Sequence, residues 1–154
     1  MAATSSKRNS GRGFGRFGGP KKDRECFHTW HDYFAQEYIE RKILMSENDL
    51  GHIKEAYQVF YRGAQASVAH YFRNLYHTIK FVKSSDIGDK RRYTSLVRAQ
   101  LSAYELTLLF YNGLSVFGEG FKPLIEEFGL LEHLDDSLLM DRSHKQLYAN
   151  SAYQ

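Results

Sequence analysis

Residues 50–82, LGHIKEAYQVFYRGAQASVAHYFRNLYHTIKFV, decide the fold. Ile53, Tyr57, Phe60, Tyr61, Val68, Tyr71, Phe72, Leu75 and Ile79 recur at three- and four-residue intervals, which lines one face of an α-helix with apolar groups. Ser46, with Asp49 three residues on, supplies a capping-box start, and Gly51 and Gly63 are the two weak points along the run. Unbroken, such a helix would span about 50 Å at roughly 1.5 Å per residue.

The flanking sequence extends the pattern. Residues 23–45 set Phe27, Trp30, Phe34 and Tyr38 on one side of a first amphipathic helix. After the long second helix, KSSDIGDKRR at 83–92 is a polar turn around Gly88, and a third helix is expected over 90–115. So short a connection implies antiparallel packing of helices two and three. Residues 121–128 form a short fourth helix, with Pro123 in its first turn and Gly129 as C-terminal cap. A last helical piece at 130–140 leads into a polar tail. No strand-like alternation or internal repeat occurs, so the expected fold is an all-α antiparallel bundle with two long central helices and short C-terminal ones. Its parts are a basic, disordered tail at 1–22, one helical domain at 23–140 and a polar C-terminal tail at 141–154.

Composition narrows the class. A chain of 154 residues with 42% hydrophobic content suits one compact domain with a real core. The single cysteine, Cys26, cannot close an intramolecular disulfide, and no signal-peptide pattern precedes the first helix, so the cytoplasm is the expected compartment. The most apolar window, 99–117, is interrupted by Gln100, Ser102, Glu105, Asn112 and Ser115, too often for a membrane span.

Net charge is +3, but residues 1–22 hold six basic residues and no acid, which leaves the remainder at −3. The basic character therefore belongs to the tail. Arg12, Arg16, Lys21 and Lys22, set among glycines with Phe14 and Phe17, make an RGG-like arm suited to RNA through backbone electrostatics and stacking, against a plainer role as a soluble arm. The Tyr and Phe residues, 11 of each, exceed what one core needs, so a homo-oligomer or a helical partner is expected.

On a helix His70, Arg73, Asn74 and His77 share one stripe. His70 and His77 would be about 10.5 Å apart along the axis, too far for one ion. His28 and His31 have a better i, i+3 spacing but lack an obvious third ligand, so no metal and no cofactor are expected. Residues 99–117, AQLSAYELTLLFYNGLSVF, carry one charge, Glu105, on a segment apolar nearly all round, with Arg98, Ser102 and Asn112 on the same stripe as that acid. A lone buried carboxylate calls for a partner, and Arg73 on an antiparallel neighbour is the natural one, since its planar fork can bond a carboxylate twice. The sequence thus predicts a polar layer of His70, Arg73, Asn74, His77, Arg98 and Glu105 between helices two and three.

Two functions suit that layer. In one it is a buried network that fixes register or positions a partner. In the other it is a metal-independent ribonuclease centre, with Arg73 stabilising charge on a scissile phosphate and His77 as general acid or base. The Arg73–Asn74 pair followed by His77 is similar to the motif of HEPN-type ribonucleases, but with three intervening residues it is one short of that pattern.

Three blocks in order, HYFRNLYHTIKFV, YTSLVRAQLSAYELTLLFYNGLS and GEGFKPLIEEFGLLEHL, resemble the phage abortive infection proteins of the AbiC-like family, over residues 57–134. The matching positions are Tyr71, Phe72, Arg73, Leu75, Tyr76, Lys80, Phe81, Arg98, Gln100, Leu101, Ser102, Glu105, Leu109, Tyr111 and Asn112. The resemblance implies a bacterial or phage-associated role in antiphage defence, in which an infected cell is shut down before phage matures. It carries no settled biochemical activity. Many longer members resemble membrane-anchored proteins; here a basic Gly/Arg tail stands ahead of the helices instead.

Overall fold

A computed structural model describes residues 26–44 and 48–154. The basic tail, including Arg12, Arg16, Lys21 and Lys22, lies outside the described residues, as does Ser46. Among the described residues there are six α-helices and no strand: α1 Cys26–Leu44, α2 Asp49–Ala64, α3 His70–Ser84, α4 Lys90–Arg98, α5 Ala103–Leu114 and α6 Lys122–Phe128. The fold is all-α.

Helix α5 is the spine. Every residue of it from Glu105 to Leu114 is buried, and α1 and α2, packed along each other, both lie against it. Its sequence is apolar nearly all round, as a helix surrounded by others requires. Burying Leu108, Leu109 and Phe110, all fully enclosed, stabilises the fold by about 1.5–3 kcal/mol each. Phe34, Tyr57, Phe60 and Tyr111 meet around the same spine in edge-on and tilted ring contacts.

The long second helix is one path with a wider turn in it. Residues Gln65–Ala69 form a π-helical turn that joins α2 to α3. Its cause lies in the spacing of the buried line Ala56, Phe60, Ala64, Val68 and Phe72. Each four-residue step overshoots a turn of regular α-helix by about 40°, so four such steps would carry the line off the core. A π turn, with i→i+5 bonding, takes up that drift and keeps Val68 and Phe72 buried. The N-cap of α2 is Asn48, whose side chain accepts the Gly51 N–H at 2.9 Å.

The expected third helix is two helices. The chain leaves α4 after Arg98 and restarts at Ser102, whose hydroxyl and the Glu105 carboxylate form a reciprocal capping box. The fourth helix forms as expected: Pro123 sits in its first turn and Gly129 ends it in the left-handed region, at φ 60°. The piece expected over 130–140 is mostly turn, with one short 3₁₀ turn at Asp136–Leu138. Residues 141–154, polar on average, are not set apart from the core. Two more 3₁₀ turns, Arg142–Leu147 and Asn150–Tyr153, bury His144, Tyr148 and Ala152 in it. Tyr148 donates to the Phe110 carbonyl at 2.8 Å, and the Leu131 N–H donates to Ala152 O at 2.9 Å.

Most of the aromatic supply is absorbed in this way, with Phe27, Trp30, Phe72, Phe121, Phe128 and Tyr148 joining the rings around α5 in the core. Among the described residues Phe81, Tyr93 and Phe117 are the large exposed rings. Among the described residues no helix is long and apolar enough to cross a membrane.

Candidate functional site

The residues expected to form one polar layer are distributed among three places. Glu105 is buried, but its carboxylate turns to its own helix start, accepting the Ser102 N–H at 2.6 Å while the Ser102 hydroxyl accepts the Glu105 N–H at 3.3 Å. Arg98 stands on the other side of the helix break and reaches α6 and its exit, with a 2.9 Å bond to the Gly129 carbonyl and a 2.5 Å pair with Glu132. His70, Arg73, Asn74 and His77 do share a face of α3, but that face is exposed. His70 Nδ1 and Asn74 Nδ2 lie 3.3 Å apart on it. The expected pairing of Arg73 with Glu105 is therefore replaced. The break at residues 99–101 takes Glu105 off the stripe it was to share with Arg98, and a helix N-terminus satisfies a carboxylate as well as a guanidinium does.

Arg73 and His77 nonetheless open together onto a pocket of about 320 Å³. One wall is the end of the π turn and the first turns of α3, where Ala69, Phe72 and Tyr76 join them. The opposite wall is the turn after α5, through Phe117, Gly118, Gly120 and Phe121, with Tyr61 of α2 closing one end. Asn112 reaches in from α5.

That turn is well determined. Ser115 donates to the Asn112 carbonyl at 2.7 Å and accepts the Phe117 N–H at 3.2 Å, and Phe121 N–H donates to Gly118 O at 2.8 Å. Phe117 is thereby held flat against Tyr61, with ring centroids 3.9 Å apart and planes 14° apart. Gly118 is required by close approach, since a Cβ there would overlap both the carbonyl and the side-chain oxygen of Asn112. Asn112 is 4% exposed, and its Nδ2 donates to the Tyr57 hydroxyl at 3.0 Å. One end of the amide is thus fixed in the core while Oδ1 has no donor among the described residues. Arg73 makes no ion pair among the described residues, and Lys80 lies over the Tyr76 ring at 5.4 Å, adding a second cation beside the mouth. Aromatic walls, a guanidinium, an imidazole and a half-anchored amide suit a planar anionic ligand.

A second polar cluster is sealed in the core. His144 is 1% exposed and stands between Tyr111, 3.0 Å from Nδ1, and Tyr38, 3.3 Å from Nε2. Tyr38 also faces Asp49 Oδ1 at 3.5 Å, and Tyr111 accepts the Met140 N–H at 2.7 Å. Since a carboxylate can only accept, the Tyr38 proton points to Asp49 and the imidazole carries its proton on Nε2. Burial pushes the His144 imidazole below its ordinary range, partly offset by Asp49 and Asp141. Burial, with Asp49 and Asp141 adding, pushes the Tyr38 phenol up to about 12. This cluster is enclosed and ties the C-terminal turns to α1 and α5.

His28 and His31 share one setting: both face Asp32, at 3.7 and 3.6 Å, and both rings stand edge-on to Tyr104, while His31 also bonds the Leu138 carbonyl at 2.8 Å. Among the described residues no group of three metal-ligating side chains is placed to hold an ion.

Sequence reasoning missed the aromatic half of the pocket. The signal was in VFGEGF at 116–121, where glycines between phenylalanines mark a tight turn presenting rings. It missed His144 because a lone histidine in a polar stretch has no pattern to read.

Residues 63–138, about half of the chain, match the family model described as putative phage abortive infection protein. No curated protein and no solved structure matches the chain. All of the pocket's lining except Tyr61 falls within the matched stretch.

Proposed function

We propose, from the membership of residues 63–138 in the putative phage abortive infection protein family, that this chain acts in antiphage defence through the Arg73/His77 pocket. The family description suggests the defence role. The observation that carries the choice of site is the convergence of Arg73, His77 and Asn112, from two helices distant in sequence, on one pocket inside the matched stretch. In this reading the pocket binds an anionic ligand, and occupancy commits the infected cell to arrest.

A second reading is favoured by one feature. Arg73 and His77 are one helical turn apart and face the same space, the arrangement a metal-independent ribonuclease would use to hold a phosphate and move a proton.

The test is expression in bacteria with and without phage, wild type against Arg73→Ala and His77→Ala, scoring growth and RNA integrity together. The pocket reading expects arrest of infected cultures by wild type and its loss in Arg73→Ala, with that variant still folded by circular dichroism. Full protection by Arg73→Ala removes the pocket from the mechanism. RNA degradation by purified protein in chelator, abolished by both variants, selects the ribonuclease.

A further inference from the structure

The pocket's dimensions and chemistry specify its ligand more closely, on the reading that this pocket is the working site. We infer that it takes a single nucleotide, with the base on the Phe117–Tyr61 stack and the phosphate on Arg73.

Size comes first. Ligand pockets run from roughly 300 to 1,000 Å³, and at about 320 Å³ this one is at the small end. That volume suits one nucleotide inside the pocket. The stack comes second. Phe117 is 44% exposed although it already covers Tyr61 with one face. A large ring held at the rim, with one face covered and the other open, is a platform for a planar group, and stacking on it is tolerant of base identity. Exposed aromatics ordinarily bury themselves, and the bonds of Ser115 to Asn112 and Phe117 are what keep this one in place.

Charge comes third. Arg73 has no acidic partner among the described residues, and Lys80 adds positive charge nearby. Glu119, the acid in the turn, does not line the pocket. A guanidinium free of a carboxylate, at the edge of an aromatic slot, matches a phosphate bidentately. Polar readout comes last. Asn112, held in the core through Tyr57, presents a fixed amide oxygen at the inner end, where it would accept from an exocyclic or ring N–H of the base. Gly118 and Gly120 keep the facing backbone bare of side chains, and a Cβ at Gly120 would meet open space.

The nucleotide has two sources, a free nucleoside monophosphate or the terminal nucleotide of an RNA. Isothermal titration of the full chain with AMP, GMP, CMP and UMP, adenosine, inorganic phosphate and a 5′-phosphorylated trinucleotide separates them. At least one monophosphate is expected to bind, with adenosine and inorganic phosphate each weaker by about tenfold or more, the loss of a charged hydrogen bond or a stacked base. Arg73→Ala should weaken the monophosphate about tenfold without changing adenosine, and Phe117→Ala should weaken both. A trinucleotide that binds tighter than its monophosphate assigns the RNA end; one that does not compete assigns the free nucleotide. Absence of binding by all four monophosphates and the trinucleotide, or wild-type binding by both variants, overturns the inference. If Arg73→Ala still loses protection in infected cells while no nucleotide binds, the pocket stands as the working site and only its ligand class falls.

Discussion

The Glu105 carboxylate accepts the Ser102 backbone N–H at 2.6 Å, so the lone acid of the most apolar helix is spent on starting that helix. Ser102→Ala should therefore cost about 0.5–2 kcal/mol, the usual value of a lost N-cap. Glu105→Ala should cost roughly 1–3 kcal/mol by leaving a partly enclosed N–H without an acceptor, while Glu105→Gln keeps an acceptor oxygen and loses less. Arg73→Ala, on an exposed face, should stay within about 0.5 kcal/mol of wild type. Urea denaturation of the four variants checks the order. An Arg73→Ala loss as large as that of Glu105→Ala, non-additive in the double variant, would restore a direct pairing.

The end of the chain should behave as part of the core. A Cβ on Gly129 would overlap the Gln154 carbonyl, and φ 60° is itself costly for any other residue by about 1–2 kcal/mol. Gly129→Ala is expected to destabilise by at least that amount and to speed hydrogen exchange at the Leu131 amide, which is bonded to Ala152 O. Removing residues 142–154 should do more, exposing the space filled by His144, Tyr148 and Ala152 and raising binding of a hydrophobic dye. Unchanged melting of either variant would contradict this packing.

Acid should loosen the same region. The His144 imidazole has a depressed affinity for protons when folded, chiefly from burial, so the unfolded chain binds the proton more readily. Its contribution to stability is complete above the unfolded value of about 6.5 and is lost as pH falls through the lower folded value. Stability measured from pH 7 downward should decline, and His144→Gln, which cannot take up a proton, should flatten the part of that decline starting near pH 6.5. A variant with the same pH slope as wild type would place the acid sensitivity elsewhere.

The floor of the pocket offers a sharper substitution. Gly118→Ala forces a methyl group against the Asn112 carbonyl and amide oxygen, so the 115–121 turn must shift. The expected result is destabilisation of about 1–3 kcal/mol, the cost of overpacking, with loss of protection in infected cells. Retention of both stability and protection would mean that the turn yields freely and does not set the site.

The class of fold, the first two helices and the fourth were legible because apolar spacing and the Pro123/Gly129 pair are local signals. Two further features are written in the sequence. Ser102-Ala103-Tyr104-Glu105 is a capping-box pattern, which marks a helix start in the middle of the segment whose apolar spacing alone predicts one helix. Ala56, Phe60, Ala64, Val68 and Phe72 form an unbroken series of four-residue steps, which a regular α-helix cannot keep on one side. Of the candidate site, Arg73, His77 and Asn112 were named from sequence and share the pocket, although on a different basis from the expected layer. Phe117, Tyr61 and Gly118 were out of reach, because their meeting depends on how the turn after α5 folds back over α2. The placing of His144 between Tyr38 and Tyr111 depends likewise on contacts more than thirty residues apart in the chain.

The wider turn at Gln65–Ala69 makes the site a matter of counting as well as of chemistry. If the same residues ran as regular helix from α2 into α3, with none removed, every later side chain would swing about 100° around the axis. Arg73 and His77 would keep their identities and their spacing while turning away from Phe117 and Asn112. The turn is thus a phase setting for the pocket: it absorbs one residue, so a chain shortened by one residue within it would run as regular helix and still face Arg73 and His77 toward Phe117 and Asn112.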